Sequence, residues 1–328
     1  MVVVSTNLDS QLISERSTEY YLPPPRTSFP RTVEACSKSS NALQSLIVQL
    51  EKDTQLSKPA QLRERLEALD SLDAYLPGVP QGAVGLDQEL SRHAEAIRKR
   101  FERMNADLFE EIRQDIQRGQ RPHGLLRWVS PPLPSEPLHA SANGMGYDFI
   151  DELITGVFRL EEPEDEHISR DPEKLFYQPT PARHIFSLIR LTRPTRNDVF
   201  VDLGSGLGHV PMMVSICTTS RSIGIELQAP YVQRAQQCAL GLNLDRVTFI
   251  HSDAREADLS GGTIFYLYTP FMGSVLSAVL GRLRNEAAAR RIRIACHGPC
   301  TPVVACEPWL VATTPPDPHA ITVFSPRA

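Results

Sequence analysis

The chain has 328 residues, a formal net charge of −5, 41% hydrophobic and 22% charged residues. Its length exceeds what one core usually holds, so a globular protein of two units is expected. The small negative charge gives no whole-chain attraction to nucleic acid or to an anionic membrane, which leaves nucleic acid as a partner open but unindicated.

The first residues, "MVVVSTNLDSQLISERS", lack a basic region ahead of an apolar core, and no later window approaches the ~18 consecutive apolar residues of a membrane span. The sequence therefore reads as cytoplasmic and without a membrane partner. Its cysteines, Cys36, Cys217, Cys238, Cys296, Cys300 and Cys306, show no framework spacing and suit free thiols in a reducing compartment. No metal is expected: the Cys296, His297, Cys300, Cys306 group has no C-x-x-C pair and is broken by prolines.

Residues 1–40, rich in Ser, Thr and Pro around "YLPPPRTSFP", predict a disordered or extended arm. Residues 41–119 predict a helical domain, in which Leu86, Leu90, Ala94, Ile97, Phe101, Met104, Leu108, Ile112 and Ile116 recur at steps of three or four. That spacing places one apolar stripe along a long helix or along two consecutive ones. The opposite face mixes basic and acidic residues, as a solvated face does. Residues 120–146, containing "QRPHGLLRWVSPPLPSEPLHA", read as a proline-rich linker to a second domain at 147–328.

In that second domain strands are predicted at 198–203, 221–226, 246–250, 263–268 and 291–296, with helices at 209–217, 229–242 and 272–289 between most of them. Alternation of this kind gives a doubly wound, Rossmann-like parallel α/β sheet with helices on both faces. Near the end, "WLVAT" and "AITVFS" are separated only by "TPPDPH", too short for a crossover, so the sheet should finish in an antiparallel hairpin and reach seven strands.

The stretch "NDVFVDLGSGLGHVP", residues 197–211, runs an apolar strand into Gly204, Gly206 and Gly208. In a doubly wound sheet the first strand-to-helix turn comes closest to the ligand, and glycines there permit positive φ and a close backbone approach. A dinucleotide fingerprint requires G-x-G-x-x-G; counting from Gly204 its last position falls on His209, and from Gly206 on Pro211, so the pattern fails. The D-x-G-x-G-x-G that stands here resembles class I S-adenosylmethionine-dependent methyltransferases. The resemblance implies a turn around the methionine part of S-adenosyl-L-methionine, with Asp202 holding its amino group. Glu226, ending "SIGIEL", is placed for the ribose hydroxyls, a role a strand-end carboxylate can fill by accepting two hydrogens. Asp253 in "VTFIHSDARE" is implied to meet the adenine amino group, and the backbone of Ala254 the ring.

Over residues 177–300 the resemblance narrows. The run "YQPTPARHIFSLIRLTRPTRNDVFVDLGSGLGHV" looks like the core of the disruptor-of-telomeric-silencing type of histone lysine methyltransferases. On that likeness Tyr177 and Thr180 would lie over the cofactor as part of a lid. The fourth strand departs from the family: "IFYLYTPFMG" stands where it has a pair of asparagines, and "YTPF" retains the proline and aromatic of an amino-methylation motif without its first-position amide or carboxylate.

Methyl transfer is an in-line displacement at a sulfonium, so alignment and desolvation matter most and a general base is optional. Tyr268, Thr269 and Phe271, following the fourth strand, are the candidate catalytic residues, able to orient an acceptor and favour a cation. His297, after the fifth strand, is a base or a structural histidine. The expected function is a methyltransferase acting on a protein, on lysine or another nucleophile, or on another sizeable acceptor. A small-molecule or RNA methyltransferase and a non-catalytic cofactor-binding scaffold are the alternatives, and the oligomeric state is open. The N-terminal helices are expected to pack near the cofactor mouth and restrict the acceptor.

Overall fold

The computed structural model describes residues 33–76, 88–119, 125, 147–160, 178–268 and 273–327, and of 33–39 the backbone alone. No helix among these residues is long and apolar enough to cross a membrane. Tyr177, Thr269 and Phe271 lie outside them, as does the greater part of the expected arm and linker.

The N-terminal part folds as α1 (Val33–Lys52), two short 3-10 turns, α2 (Leu62–Asp73) and α3 (Gln88–Gln117). From Leu90 to Ile116 the apolar stripe lies on one continuous helix, α3, while Leu86 lies outside the described residues; α1 starts ahead of the expected 40/41 boundary. Leu43, Ile47, Leu72, Ala94, Ile97 and Phe101 form the inner face of this bundle. Arg65 is buried among neutral acceptors: its Nε donates to Asn105 Oδ1 at 2.6 Å and its Nη1 to the carbonyls of Leu56 and Lys58 at 3.1 and 2.6 Å. Those bonds replace the water that burial removes and fasten α2 to α3 and to the turns before it.

Farther along α3 the same stripe enters another core. Leu108 and Ile112 join Ile150, Leu153, Val157 and Phe158 from α4 (Phe149–Phe158). The helices come close at Gly156, where a Cβ would sit 2.2 Å from the Phe109 ring. Arg113 Nη1 donates to the Val157 carbonyl at 2.8 Å, and Gln117 Nε2 to the Gly241 carbonyl at 2.7 Å.

The second unit continues with α5 (Ala182–Thr192), β1 (Val199–Leu203), α6 (His209–Cys217), β2 (Arg221–Glu226), α7 (Ala229–Gly241), β3 (Val247–His251) and β4 (Ile264–Tyr268). It ends with α8 (Gly273–Ala289), β5 (Arg293–His297), α9 (Cys300–Ala305), β6 (Leu310–Ala312) and β7 (Thr322–Pro326). The strands form one seven-stranded sheet in the order β3-β2-β1-β4-β5-β7-β6. β1 through β5 pair in parallel, and β7 lies antiparallel between β5 and β6. Every residue of β1 is buried, as a central strand covered on both faces requires. Phe200 and Tyr266 face the α5 side, Val201, Leu203 and Phe265 the α8 side.

α7 delivers the chain to β3 at the edge where the strands begin, and Gly241, which receives Gln117, ends α7. The glycine turn lies at the opposite edge, where β1 ends. The contacts of Gln117 at the end of α3 with Gly241 and Asn243 therefore fall at the edge away from the glycine turn.

Candidate functional site

At the carboxyl edge β1 runs into Gly204, Gly206 and Gly208, with φ of 82°, 52° and 83°. Two backbone bonds tie the turn to β2, from the amides of Gly204 and Ser205 to the Ile225 carbonyl at 2.8 and 3.0 Å. Gly208 serves packing as well as φ, since a Cβ there would meet the Phe249 ring at 2.4 Å. Directly after it α6 begins, bringing its first amides to this edge.

Glu226 closes β2 beside the turn. Its Oε2 accepts from the Gly206 amide at 2.9 Å and its Oε1 from the Gln228 amide at 2.8 Å. Each oxygen keeps a further lone pair, so the fixed carboxylate can still accept two hydroxyl hydrogens. Asp202, 4% exposed, is the neighbouring acid. Burial, and then the charge of Glu226, pushes its carboxyl well above the usual range. Two acids held this close favour a cation between them. Ser205 Oγ, buried in the same turn, has no hydrogen-bond partner among the described residues. A positive-φ turn, a cation-seeking acid and a fixed hydroxyl-accepting carboxylate fit the amino group and ribose of S-adenosylmethionine.

Asp253 stands just beyond β3, its carboxylate clasped by Arg255 with Nη2 to Oδ2 at 2.6 Å and Nε to Oδ1 at 3.1 Å. A ligand amine would share that carboxylate with an exposed guanidinium. Ala254 is buried, and its carbonyl accepts from Arg282 at 3.0 Å.

Beside the glycine turn lies a layer of rings that the sequence did not announce. Thr180, buried, has its Oγ1 3.2 Å from Tyr266 Oη, so the hydroxyl is engaged with the sheet. Tyr147 Oη donates to the Pro179 carbonyl at 2.6 Å. Tyr268 stacks on His297 with centroids 5.1 Å apart, and His297 meets His184 of α5 at 4.1 Å. Asp151 fastens the roof by accepting from the amides of Ala182 and Asp148, each at 2.7 Å. Its carboxyl is nonetheless pushed up to about 6 by burial. His184, Tyr266 and Tyr147 carry no local motif; only the fold brings them to the end of β4.

Residues 176–252 match the family model described as "Histone methylation protein DOT1". Among solved structures, an RNA methyltransferase from Salinibacter ruber in complex with S-adenosyl-L-homocysteine is 25% identical over 45% of this chain and 92% of its own, with a TM-score of 0.37. A methyltransferase from Geobacter sulfurreducens is 17% identical over 46% of this chain and 80% of its own, TM-score 0.37. Geranyl diphosphate C-methyltransferase from Streptomyces coelicolor A3(2) is 21% identical over 35% and 42%, TM-score 0.31. No curated protein matches the chain. The chain has a class I methyltransferase core in which residues 176–252, ending just after β3, are DOT1-like, and the cofactor of such a core is S-adenosyl-L-methionine.

Proposed function

We propose that the chain transfers a methyl group from S-adenosyl-L-methionine to a nitrogen or other nucleophile of a protein side chain. The observation that carries the cofactor half is the Glu226 carboxylate, fixed by two backbone amides beside the positive-φ glycine turn. The acceptor half is supported by the DOT1 match, which spans the Tyr177–Thr180 segment.

In this reading Asp202 faces the cofactor amino group, Glu226 the ribose, and Asp253 with the Ala254 backbone the adenine. Gly204, Gly206 and Gly208 shape the turn, and Tyr177 with Thr180 belongs to the lid. Tyr268, Thr269 and Phe271 wall the acceptor. The residues at 41–119 form a helical domain and those at 147–328 the catalytic one. Bound in this site, S-adenosylmethionine supplies a methyl group on a sulfonium centre open to in-line displacement. The residues' own task is to align that line, exclude water and take up the acceptor's proton where it has one to lose.

The test is incubation of the full chain with methyl-labelled cofactor and fractionated cell extract. Label in the protein fraction is the expected result. Label confined to RNA or small molecules overturns the acceptor, and cofactor binding without transfer to any fraction leaves a scaffold.

A further inference from the structure

Where β1, β4 and β5 end, the register sets Leu203 beside Leu267 and Leu267 beside Cys296. The next row therefore holds Gly204, Tyr268 and His297 side by side, with Tyr268 paired to His297. At ~4.8 Å between strands, His297 is about two strand spacings from the glycine turn. Asp202, Tyr266, Tyr268 and His297 all lie toward α5, whose His184 closes over His297.

His297 is 7% exposed, and its Nδ1 has no hydrogen-bond partner among the described residues. Burial, and then His184, lowers its basicity to a pKa of about 3, against a backbone hydrogen bond with His319 that raises it. A backbone bond that favours the protonated ring is donation from ring N–H to a carbonyl, so Nε2 carries the hydrogen and Nδ1 carries a lone pair. His184, Tyr268, His319 and Asp317 are the titratable groups around the ring. Asp317, the one carboxylate among them, is the weakest influence on it.

We infer that His297 Nδ1 is the proton acceptor of the transfer reaction, and that the group methylated is a planar, uncharged N–H donor, an imidazole or a carboxamide of a protein, rather than a lysine ammonium. The inference rests on the methyltransferase reading above. The acceptor nitrogen bonds the methyl carbon, the carbon–sulfur bond breaks with its electron pair on sulfur, and one N–H proton of the acceptor passes to Nδ1 and then to water. Only one positive charge is then present, moving from sulfonium to imidazolium. An ammonium would bring a second cation to a ring layer whose histidines are already held neutral, where like charges cost most. The layered rings, 25° between Tyr268 and His297 and 33° between His297 and His184, suit a flat acceptor better than a tetrahedral one.

Three measurements test this. In the free chain, nitrogen-detected histidine spectra should show His297 neutral with a bare Nδ1 from pH 7 to 5; a hydrogen on Nδ1 overturns the inference. With methyl-labelled cofactor and extract protein, hydrolysis should return the label as methylhistidine or, from a methylated amide, as methylamine. Label on lysine or on oxygen overturns it and leaves the methyltransferase standing; no label in protein removes both. His297→Phe keeps a ring, and should bind S-adenosylmethionine by calorimetry within about twofold while kcat falls about a hundredfold or more. His297→Asn, smaller and polar, covers a folding failure of the first variant; wild-type turnover in either overturns the assignment.

Discussion

The carboxylate of Glu226 accepts the amide hydrogen of Gly206 at 2.9 Å, so the turn after β1 and the end of β2 hold one another in shape. A cofactor seated there meets a pre-arranged acceptor and spends little on ordering it. Removing that carboxylate in Glu226→Ala leaves two backbone amides and, on the proposed role, two ribose hydroxyls without their acceptor. Affinity for S-adenosylmethionine should fall by about 1.5–3 kcal/mol, roughly ten- to a hundredfold. Calorimetry showing less than a twofold change would mean another residue holds the ribose.

With the cofactor amino group on Asp202, as proposed, binding should depend on protons. Burial and Glu226 raise its carboxyl, and a bound ammonium would lower it again. Binding then releases protons over the range in which Asp202 titrates, and affinity rises with pH there. Calorimetry in buffers of different ionisation enthalpy measures the release directly. Identical heats in all of them would place the amino group elsewhere.

Acid should loosen the fold early. Burial holds His184 and His209 at about 4 and His297 at about 3, below the ~6.5 of an unfolded chain. For a depressed pKa the stabilisation is full above the unfolded value and is lost as pH falls toward the folded one. Asp151, raised to about 6, has the opposite sign: its contribution is present at low pH and lost as pH rises through that value. Three histidines against the two raised carboxylates, Asp151 and Asp202, leave a net uptake of about one proton on unfolding, about 1.4 kcal/mol per pH unit at most. The urea midpoint should drop between pH 6.5 and 5, and a flat profile over that window would contradict the neutral histidines.

The junction between α3 and α4 gives a stability prediction. Ile112 is fully buried where the two helices meet the sheet's own core. Ile112→Ala should cost about 2–5 kcal/mol, read as a lower urea midpoint. A chain beginning at Tyr147 bares the face of α4 formed by Ile150, Leu153, Val157 and Phe158, and should aggregate or bind hydrophobic dyes. A soluble, monomeric product with the full melting temperature would show that α3 adds nothing there.

Much of the sheet was legible because its signals are local. The β2 and α6 ranges coincide with expectation, β1 and β4 begin one residue later, and β3 and β5 shift by one or two residues at both ends. Apolar runs bounded by turns mark strands, and the glycine spacing marks the edge where the site lies. The tail was half legible: "TPPDPH" announced a hairpin, yet nothing local says that β7 slips between β5 and β6. α9, a short helix after β5 that begins directly after Pro299, has no counterpart among the expected elements, because six residues show no helical period. The ring layer was hidden for a different reason. His184 faces His297 only because α5 turns that side toward the sheet, and one helical step would aim it at solvent. Arg255 next to Asp253 was in plain view, but whether two neighbours in a loop pair or part depends on a backbone the sequence does not state.

α3 is counted in two cores at once, its first half with α1 and α2 and its second with α4 and the sheet. A shared rigid helix makes the two halves poor candidates for exchange during evolution. Cutting between them exposes an apolar face on whichever side keeps the remainder, so the smallest piece that recombination could carry to a new partner is the α3–α4 pair together. Novelty in this architecture is then more easily acquired at the carboxyl edge, where side chains change without disturbing that joint, than by trading the helical unit for another.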